Sequence, residues 1–356
     1  MNINKLHQVF EELKEKFVNG EFTFEDNIIK GKIEPPSVKD FLNIKRLDET
    51  IKKKYFEKGK DAIKNNRLGC VIMNGGMATR FGSGVKGIVE VYDGKSFLQI
   101  KLEKIKRVMA EYNAVVEIFI MNSFATAKQT TEYLTKNSFF GIDKNNIHFF
   151  NQYKFPRLRS DGSFFTSSEK EENNYYGPGH GDFIYTFRES GLLDNFVNSG
   201  GSYLWYSNVD NLGSTIDPVI LGAHIESICE MTVELAEKVK GDKGGAPAIV
   251  NNKLQIVEGF QFPETFNQDS ITIFNTATYI FNAGALNKDV TLPFYVVKKN
   301  VEGVDVIQFE RLTGDLSVFL ECFYIIVPRE ERFFPIKTKE DLENQREKLK
   351  ERFEKD

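Results

Sequence analysis

Leu68-Gly-Cys-Val-Ile-Met-Asn-Gly-Gly-Met-Ala-Thr-Arg-Phe-Gly-Ser-Gly-Val-Lys86-Gly87 decides the fold. Its apolar run, Cys70 to Met73, is short enough for a buried strand. A loop follows that holds Gly75, Gly76, Gly82, Gly84 and Gly87, with Arg80 and Lys86 among them. Glycines let backbone approach a ligand and turn successive N–H groups toward it. Two cations in the same loop make a polyphosphate the natural ligand. Past Lys86 come an apolar stretch, Gly87 to Val91, and a lysine-rich helical pattern, Phe97 to Met109. A strand, a basic glycine loop and a helix at the start of an α/β pattern place a nucleotide site at the carboxyl end of the first strand. The loop contains neither G-x-x-x-x-G-K-[ST] nor G-x-G-x-x-G, which argues against a P-loop NTPase and weakens a dinucleotide-binding reading. Read alone, it is either such a site or a glycine-rich turn with a solvated Arg and Lys.

Upstream, Ile3, Leu6, Val9, Phe10, Leu13 and Phe17 recur at helical spacing and predict an amphipathic helix over residues 3–18, ended by Asn19-Gly20. Pro35-Pro36-Ser37-Val38 reads as the entry to a further helix with Ser37 as N-cap, and residues 39–66 as one or two charged helices. Downstream, strands are expected at 114–121, 147–150 and 203–206. Helices are expected at 124–134 and 183–193. This alternation predicts a mostly parallel sheet with helices on both faces. From Met231 the pattern shifts to strands at 231–237, 247–250, 253–257, 270–280, 293–298 and 304–309. A helix at 312–319 and a last strand at 322–327 follow. Thr338-Lys-Glu-Asp341 is a helix-start signal, and the charged stretch to Asp356 reads as a solvated terminal helix.

The 356 residues allow one large domain with additions, or two domains. A net charge of −4 provides no global basic field, so neither nucleic acid nor an anionic membrane is an expected partner. Any polyanion must be held by local cations. Cys70, Cys229 and Cys322 lie far apart in apolar runs and form no C-x-x-C pair, which fits reduced thiols in a cytoplasm rather than zinc or a disulfide framework. The N-terminus has no apolar core of a signal peptide, and no run approaches the roughly 20 residues that span a bilayer.

Three further stretches carry chemistry. Asn208-Val-Asp-Asn211 closes an apolar strand. Asp210 there is either a Mg²⁺ ligand facing the crevice or part of an Asp/Asn turn. Gly177-Pro-Gly-His-Gly-Asp182 surrounds His180 with glycines that bring backbone close to a flat or phosphorylated ligand. Lys337 follows a strand in Pro335-Ile-Lys-Thr338, and reaches phosphate only if that strand shares the sheet.

Together the chain resembles the UDP-glucose pyrophosphorylase (UTP–glucose-1-phosphate uridylyltransferase) family and its UDP-N-acetylglucosamine relatives from about Leu68 to Leu342. The pieces come in family order: Asn74-Gly-Gly-Met-Ala-Thr-Arg-Phe-Gly82, Met121-Asn-Ser-Phe124, Phe150-Asn-Gln152, Pro178-Gly-His-Gly-Asp182, Ser207-Asn-Val-Asp-Asn-Leu-Gly213, Lys243-Gly-Gly245, Val257-Glu258, Ile273-Phe-Asn-Thr276, Val306-Ile-Gln-Phe-Glu310 and Phe334-Pro-Ile-Lys-Thr338. The resemblance implies an α/β fold: a Rossmann-like, GT-A-like nucleotidyltransferase domain with a mixed central sheet. An N-terminal helical segment (1–66) would pack on the catalytic domain (67–338). That domain would carry a mixed or antiparallel sugar-binding extension (about 231–300), and a C-terminal helix (339–356) would follow.

The resemblance also implies the reaction of UTP with a sugar 1-phosphate to give UDP-sugar and pyrophosphate, with Mg²⁺ as cofactor. Gly75, Gly76, Met121 and Gln152 would receive uracil and ribose, and Gly179 and His180 would line the nucleotide and phosphate region. Asn208 and Asp210 would lie near sugar and metal. Gly245, Glu258, Phe274 and Asn275 would form the sugar pocket. Lys86, Lys337 and Arg80 would act on the phosphates. The resemblance is to a short form without the C-terminal left-handed β-helix of long eukaryotic members, so their oligomeric state does not carry over. Val85 stands where relatives often have proline, and Ala277 where glucose-specific relatives usually have asparagine. Glucose 1-phosphate is the expected substrate, with N-acetylglucosamine or galactose 1-phosphate as alternatives. A UDP-sugar-consuming glycosyltransferase and a non-catalytic UDP-sugar sensor are the alternatives of other classes.

Overall fold

The computed structural model describes residues 3–76, 84–239, 242, 244–334, 336 and 338–355. An eight-stranded sheet lies at its centre. The strands in chain order are β1 Leu42–Asn43, β2 Leu68–Met73, β3 Glu117–Asn122, β4 Ile147–Asn151, β5 Tyr203–Asn208, β6 Met231–Glu237, β7 Ile273–Asn282 and β8 Cys322–Ile326. Across the sheet they lie in the order β1-β8-β6-β7-β5-β2-β3-β4. β7 runs antiparallel to both neighbours, and the other pairs are parallel.

β2 is the strand the opening stretch predicts. It pairs with β3 on one side and β5 on the other, and all six of its residues are buried. Its two faces feed two cores. Val71 and Met73 pack with Phe119, Phe183 and Tyr206. Cys70 and Ile72 pack with Phe97, Ile100 and Ile105. A parallel strand covered on both faces requires such a continuous apolar run.

The principal helices are α1 Ile3–Val18, α2 Glu49–Lys64, α3 Phe97–Tyr112, α4 Ala127–Lys136, α5 Phe183–Glu189, α6 Leu192–Asn198, α7 Pro218–Ser227 and α8 Lys339–Lys355. α3 starts where Ser96 Oγ accepts the Gln99 N–H at 3.1 Å, and stops at Asn113 in the left-handed region (φ 50°). At α8 the start signal takes its reciprocal form: the Asp341 N–H donates to Thr338 Oγ1 (3.0 Å), and the Thr338 N–H to Asp341 Oδ2 (2.8 Å).

Several elements differ from the sequence reading. Residues 39–66 hold one long helix, α2, which begins only after Asp48 caps the Thr50 and Ile51 N–H groups. Before it, Leu42–Asn43 extends the sheet beside β8, and Ser37 opens no more than a 3-10 turn, Val38–Asp40, without a side-chain cap. The N-terminal segment is therefore not wholly helical. The 183–193 helix is two helices, α5 and α6, parted at Gly191 (φ 74°). The 312–319 helix is a 3-10 turn, Thr313–Asp315, and one helical turn, Leu316–Phe319. α8 is solvated on one side only, because Leu342, Leu349 and Phe353 join the α3 core.

Residues 231–237 and 273–282 belong to the central sheet as β6 and β7 rather than to an extension. What stands apart is the antiparallel hairpin Ala246–Val250/Lys253–Val257, extended by Ile33–Glu34, and a second small sheet of Tyr295–Val301, Val304–Glu310 and Leu158–Arg159. α1 packs on this second sheet through Phe10.

A buried chain of hydrogen bonds ties these outer pieces together. Gln261 Nε2 donates to the Tyr295 hydroxyl (2.7 Å), which donates to Asp315 Oδ1 (3.0 Å). Asp315 is 5% exposed, and burial pushes its carboxyl up to about 7. The folded state therefore keeps a proton that the unfolded chain releases at about pH 3.9. Stability from this group is complete below that pH and is lost as pH rises toward 7. Asp315→Asn should remove this loss. Urea midpoints at pH 5 and 7.5 should show the variant gaining on the wild type as pH rises; a pH-independent difference would contradict the assignment.

Candidate functional site

The site forms where the strand order turns. The chain passes from β2 to β3 on one side, while β5 pairs on the other, leaving a crevice beyond the carboxyl ends of β2, β3 and β5. In open α/β sheets ligands bind at such a point. The glycine loop starts from a fixed base: the Asn74 amide donates to Asn122 Oδ1 (2.8 Å) and Thr130 Oγ1 (2.9 Å), and its N–H to the Met121 carbonyl (2.8 Å). The far end is pinned by the Lys86 N–H on the Gly76 carbonyl (3.3 Å). Lys86 thus emerges at a defined point and forms an ion pair with Asp210 in the turn after β5. Both side chains remain partly exposed to the cleft, at 17% and 22%.

The Gly177–Asp182 loop is held by a pair that lies 129 residues apart in sequence. Arg311 Nε donates to Asp182 Oδ1 at 2.7 Å, and both side chains are buried. Asp182 Oδ2 also accepts the Tyr153 N–H (3.0 Å), next to Gln152. The Arg311 guanidinium stacks on Tyr185 and Phe294 at 4.0 and 4.7 Å. Gly179 has φ 91°, and a Cβ there would come within 2.3 Å of the Arg311 carbonyl, so this close approach requires glycine.

His180 is fixed by the same segment. Its Nδ1 accepts the Thr313 N–H at 3.0 Å, and Thr313 Oγ1 donates to the His180 carbonyl at 2.9 Å. Burial pushes the imidazole down to about 4. Above that pH the ring is neutral, and because Nδ1 accepts, Nε2 carries the proton. His180 is thereby a neutral donor.

A cleft of about 550 Å³ brings together Gly75, Gly76, Lys86, Met121, Gln152, Gly179, His180, Asn208 and Asp210. An adjoining pocket of about 250 Å³ takes in Gly245, Glu258, Phe274 and Asn275 and shares His180, Asn208 and Asp210 with the cleft. The shared three mark the junction. The Asn275 amide is engaged internally: Oδ1 accepts the Ala277 N–H (3.0 Å) and Nδ2 donates to the Tyr279 hydroxyl (2.7 Å). Asn275 thus shapes the wall more than it offers free groups. Ala277 lies at φ 56°, where the β6–β7 register shifts, and forms part of the pocket rim. Arg80 and Lys337 lie outside the described residues.

Among the described residues no group of three or more His, Cys, Asp or Glu is placed to hold a metal. Glu172, Asp210 and Glu310 line the cleft, and of these Asp210 is the one paired with Lys86 beside His180 and Asn208. This donor set fits Mg²⁺ arriving with phosphate oxygens and water, not a preformed protein cage. Asp182, Arg311 and Thr313 were not singled out as site residues in the sequence. Asp182 sits in the quoted Gly-His-Gly-Asp run, but no local pattern marks its partner.

The fold and the cleft at its switch point define a Rossmann-like nucleotidyltransferase. A family model described as UTP–glucose-1-phosphate uridylyltransferase matches residues 7–352, and the chain belongs to that family. It is 30% identical over 357 residues to UTP–glucose-1-phosphate uridylyltransferase 2 of Dictyostelium discoideum, covering 96% of this chain and 67% of that protein. It is 31% identical over 315 residues to the UTP–glucose-1-phosphate uridylyltransferase of Saccharomyces cerevisiae, covering 83% of this chain and 62% of that one. The chain spans 58–67% of the length of the curated relatives it matches. The fold matches the UDP-glucose phosphorylase structure of Trypanosoma brucei with a TM-score of 0.77 at 25% identity, over 95% of this chain and 74% of that one.

Proposed function

We propose that this chain transfers a uridylyl group from UTP to glucose 1-phosphate, reversibly, giving UDP-glucose and pyrophosphate. The observation that carries this reading is the Lys86–Asp210 pair beside His180 and Asn208, where a nucleotide-sized cleft opens into a sugar-sized pocket. Gln152, Gly75 and Met121 receive the uracil end, with Gly76 and Gly179 close to ribose and phosphate. Gly245, Glu258, Phe274, Asn275 and Asn208 surround the sugar. The sugar phosphate oxygen attacks the α-phosphorus in line and pyrophosphate leaves, so no covalent enzyme intermediate is needed. The protein contributes position and charge. Lys86 exchanges Asp210 for phosphate oxygens, and Arg80 and Lys337 add positive charge. His180 donates from Nε2 without changing its own charge. Mg²⁺, held by Asp210 when bound, would neutralise charge on the phosphates. The three cysteines are unpaired, which supports a reducing, cytoplasmic setting. Among the described residues no helix is long and apolar enough to cross a membrane.

Pyrophosphate release from UTP and Mg²⁺, measured with glucose, galactose and N-acetylglucosamine 1-phosphates in parallel, tests the reaction. Release with glucose 1-phosphate is expected. Release with another sugar alone would move the specificity, pointing to the pocket wall at Ala277, and release with none would overturn the reading. Lys86→Ala should lower kcat by roughly 10²–10³-fold while the urea midpoint stays near wild type. A rate close to wild type would remove Lys86 from the mechanism.

The base end yields a separate expectation. A Cβ on Gly177 would lie 1.7 Å from Gln152 Nε2, so Gly177→Ala must displace the Gln152 side chain. KM for UTP should rise about tenfold, the equivalent of roughly one lost hydrogen bond, with kcat less affected. An unchanged KM would show that Gln152 does not read the base.

A further inference from the structure

Behind the turn that carries Asp210, on the α3 side of the sheet, lies a lysine that the proposed mechanism leaves unused. Lys101 is 6% exposed. The cavity around it is lined by apolar residues, Cys70, Ile72, Trp205 and Leu212 among them, and by charged ones that include Arg107 and Glu111. Its Nζ donates to Ser207 Oγ at 2.8 Å and to the Ser214 carbonyl at 3.3 Å. These two residues flank Asn208–Gly213, so one ammonium group joins both ends of the turn whose middle is Asp210. The far end is further fixed by Trp205 Nε1 on Ser214 Oγ (3.3 Å) and by Arg332 Nη1 on the Thr215 carbonyl (2.9 Å).

No carboxylate among the described residues forms an ion pair with Lys101. Burial pushes its ammonium down to about 8, while the charges of Asp210 and Glu234 favour the protonated form. A buried lysine held only by neutral oxygens is costly. A methionine of similar length would remove the desolvated charge but leave Ser207 Oγ and the Ser214 carbonyl without this donor. The two effects oppose each other in fold stability, whereas in the geometry of the turn the lysine has a distinct role.

We propose that Lys101 is a positioning residue that clasps the two ends of the Asn208–Gly213 turn and so sets where Asp210 meets Lys86. The inference rests on the role given above to Asp210. It predicts a dissociation between stability and function. In Lys101→Met the urea midpoint should stay near wild type, because removal of the buried charge offsets the two lost hydrogen bonds. Hydrogen exchange at the backbone amides of residues 208–214 should speed up by about tenfold or more, as expected for a turn that opens locally. kcat should fall by on the order of 10- to 100-fold, with KM for UTP within about twofold of wild type, because the base end is held separately at Gln152. Lys101→Gln, which keeps a donor without the charge, should lie between the two and serves as the readout should the methionine variant not fold.

Exchange at 208–214 indistinguishable from wild type would overturn the proposal whatever the activity. A fall in global stability matching the loss of activity would likewise reduce Lys101 to a structural role and overturn it. An inactive wild type would instead remove the proposed reaction, and the exchange data would still decide whether Lys101 holds the turn.

Discussion

The Lys86–Asp210 ion pair is the constraint around which the site is organised. It joins the end of the glycine loop after β2 to the turn after β5, bridging two strands that lie side by side in the sheet but more than a hundred residues apart in sequence. A lysine and an aspartate in contact neutralise each other, and each is then available for a ligand of opposite sign. On the proposed reading, a polyphosphate with its cation would satisfy both at once, and binding would be an exchange of partners without a buried, uncompensated charge.

Around this pair the protein places fixed polar groups that remain with one another. Asp182–Arg311 and Glu234–Arg332 are buried ion pairs. The first fixes the His180 loop against the hairpin that ends at Glu310. The second fixes the helical turn Arg329–Arg332 against β6, with Arg332 also reaching Thr215 beyond the Asp210 turn. Pairs of this kind are weak contributors to net stability but tolerate little displacement. Thr313 acts at shorter range by deciding which His180 nitrogen carries the proton. The site thus sets a partly exposed ion pair, Lys86 and Asp210, inside a frame of buried ones.

Much of this was legible in the sequence, and the limits follow from distance along the chain. The Leu68–Met73 strand, the glycine loop and the family-ordered motifs declare the fold because each is local: a buried parallel strand must be apolar throughout, and a loop over phosphate must be short of side chains. Nine of the predicted site residues converge on one cleft, with the pocket residues beside it. What could not be read locally was pairing. Residues 231–237 and 273–282 look like strands of any antiparallel unit until β7 is found inserted between β5 and β6. Pro35-Pro36 followed by charged residues resembles a helix entry, yet the edge of the sheet at β8 takes Leu42–Asn43 as a strand. Gly191 breaks an otherwise continuous helical pattern because the chain turns there through a left-handed residue. Arg311, Thr313 and Lys101 sit in unremarkable local contexts, and their roles appear only when partners from 106 to 133 residues away are in place.

The partner-exchange account is tested most directly by calorimetric binding of UTP to Asp210→Asn with all divalent metal chelated. If Asp210 holds Lys86 until phosphate and metal arrive, removing its charge weakens that hold, and the variant should bind metal-free UTP more tightly than wild type. Weaker metal-free binding in the variant would contradict the account, because it would mean that Asp210 supports the nucleotide directly instead of competing with it for Lys86.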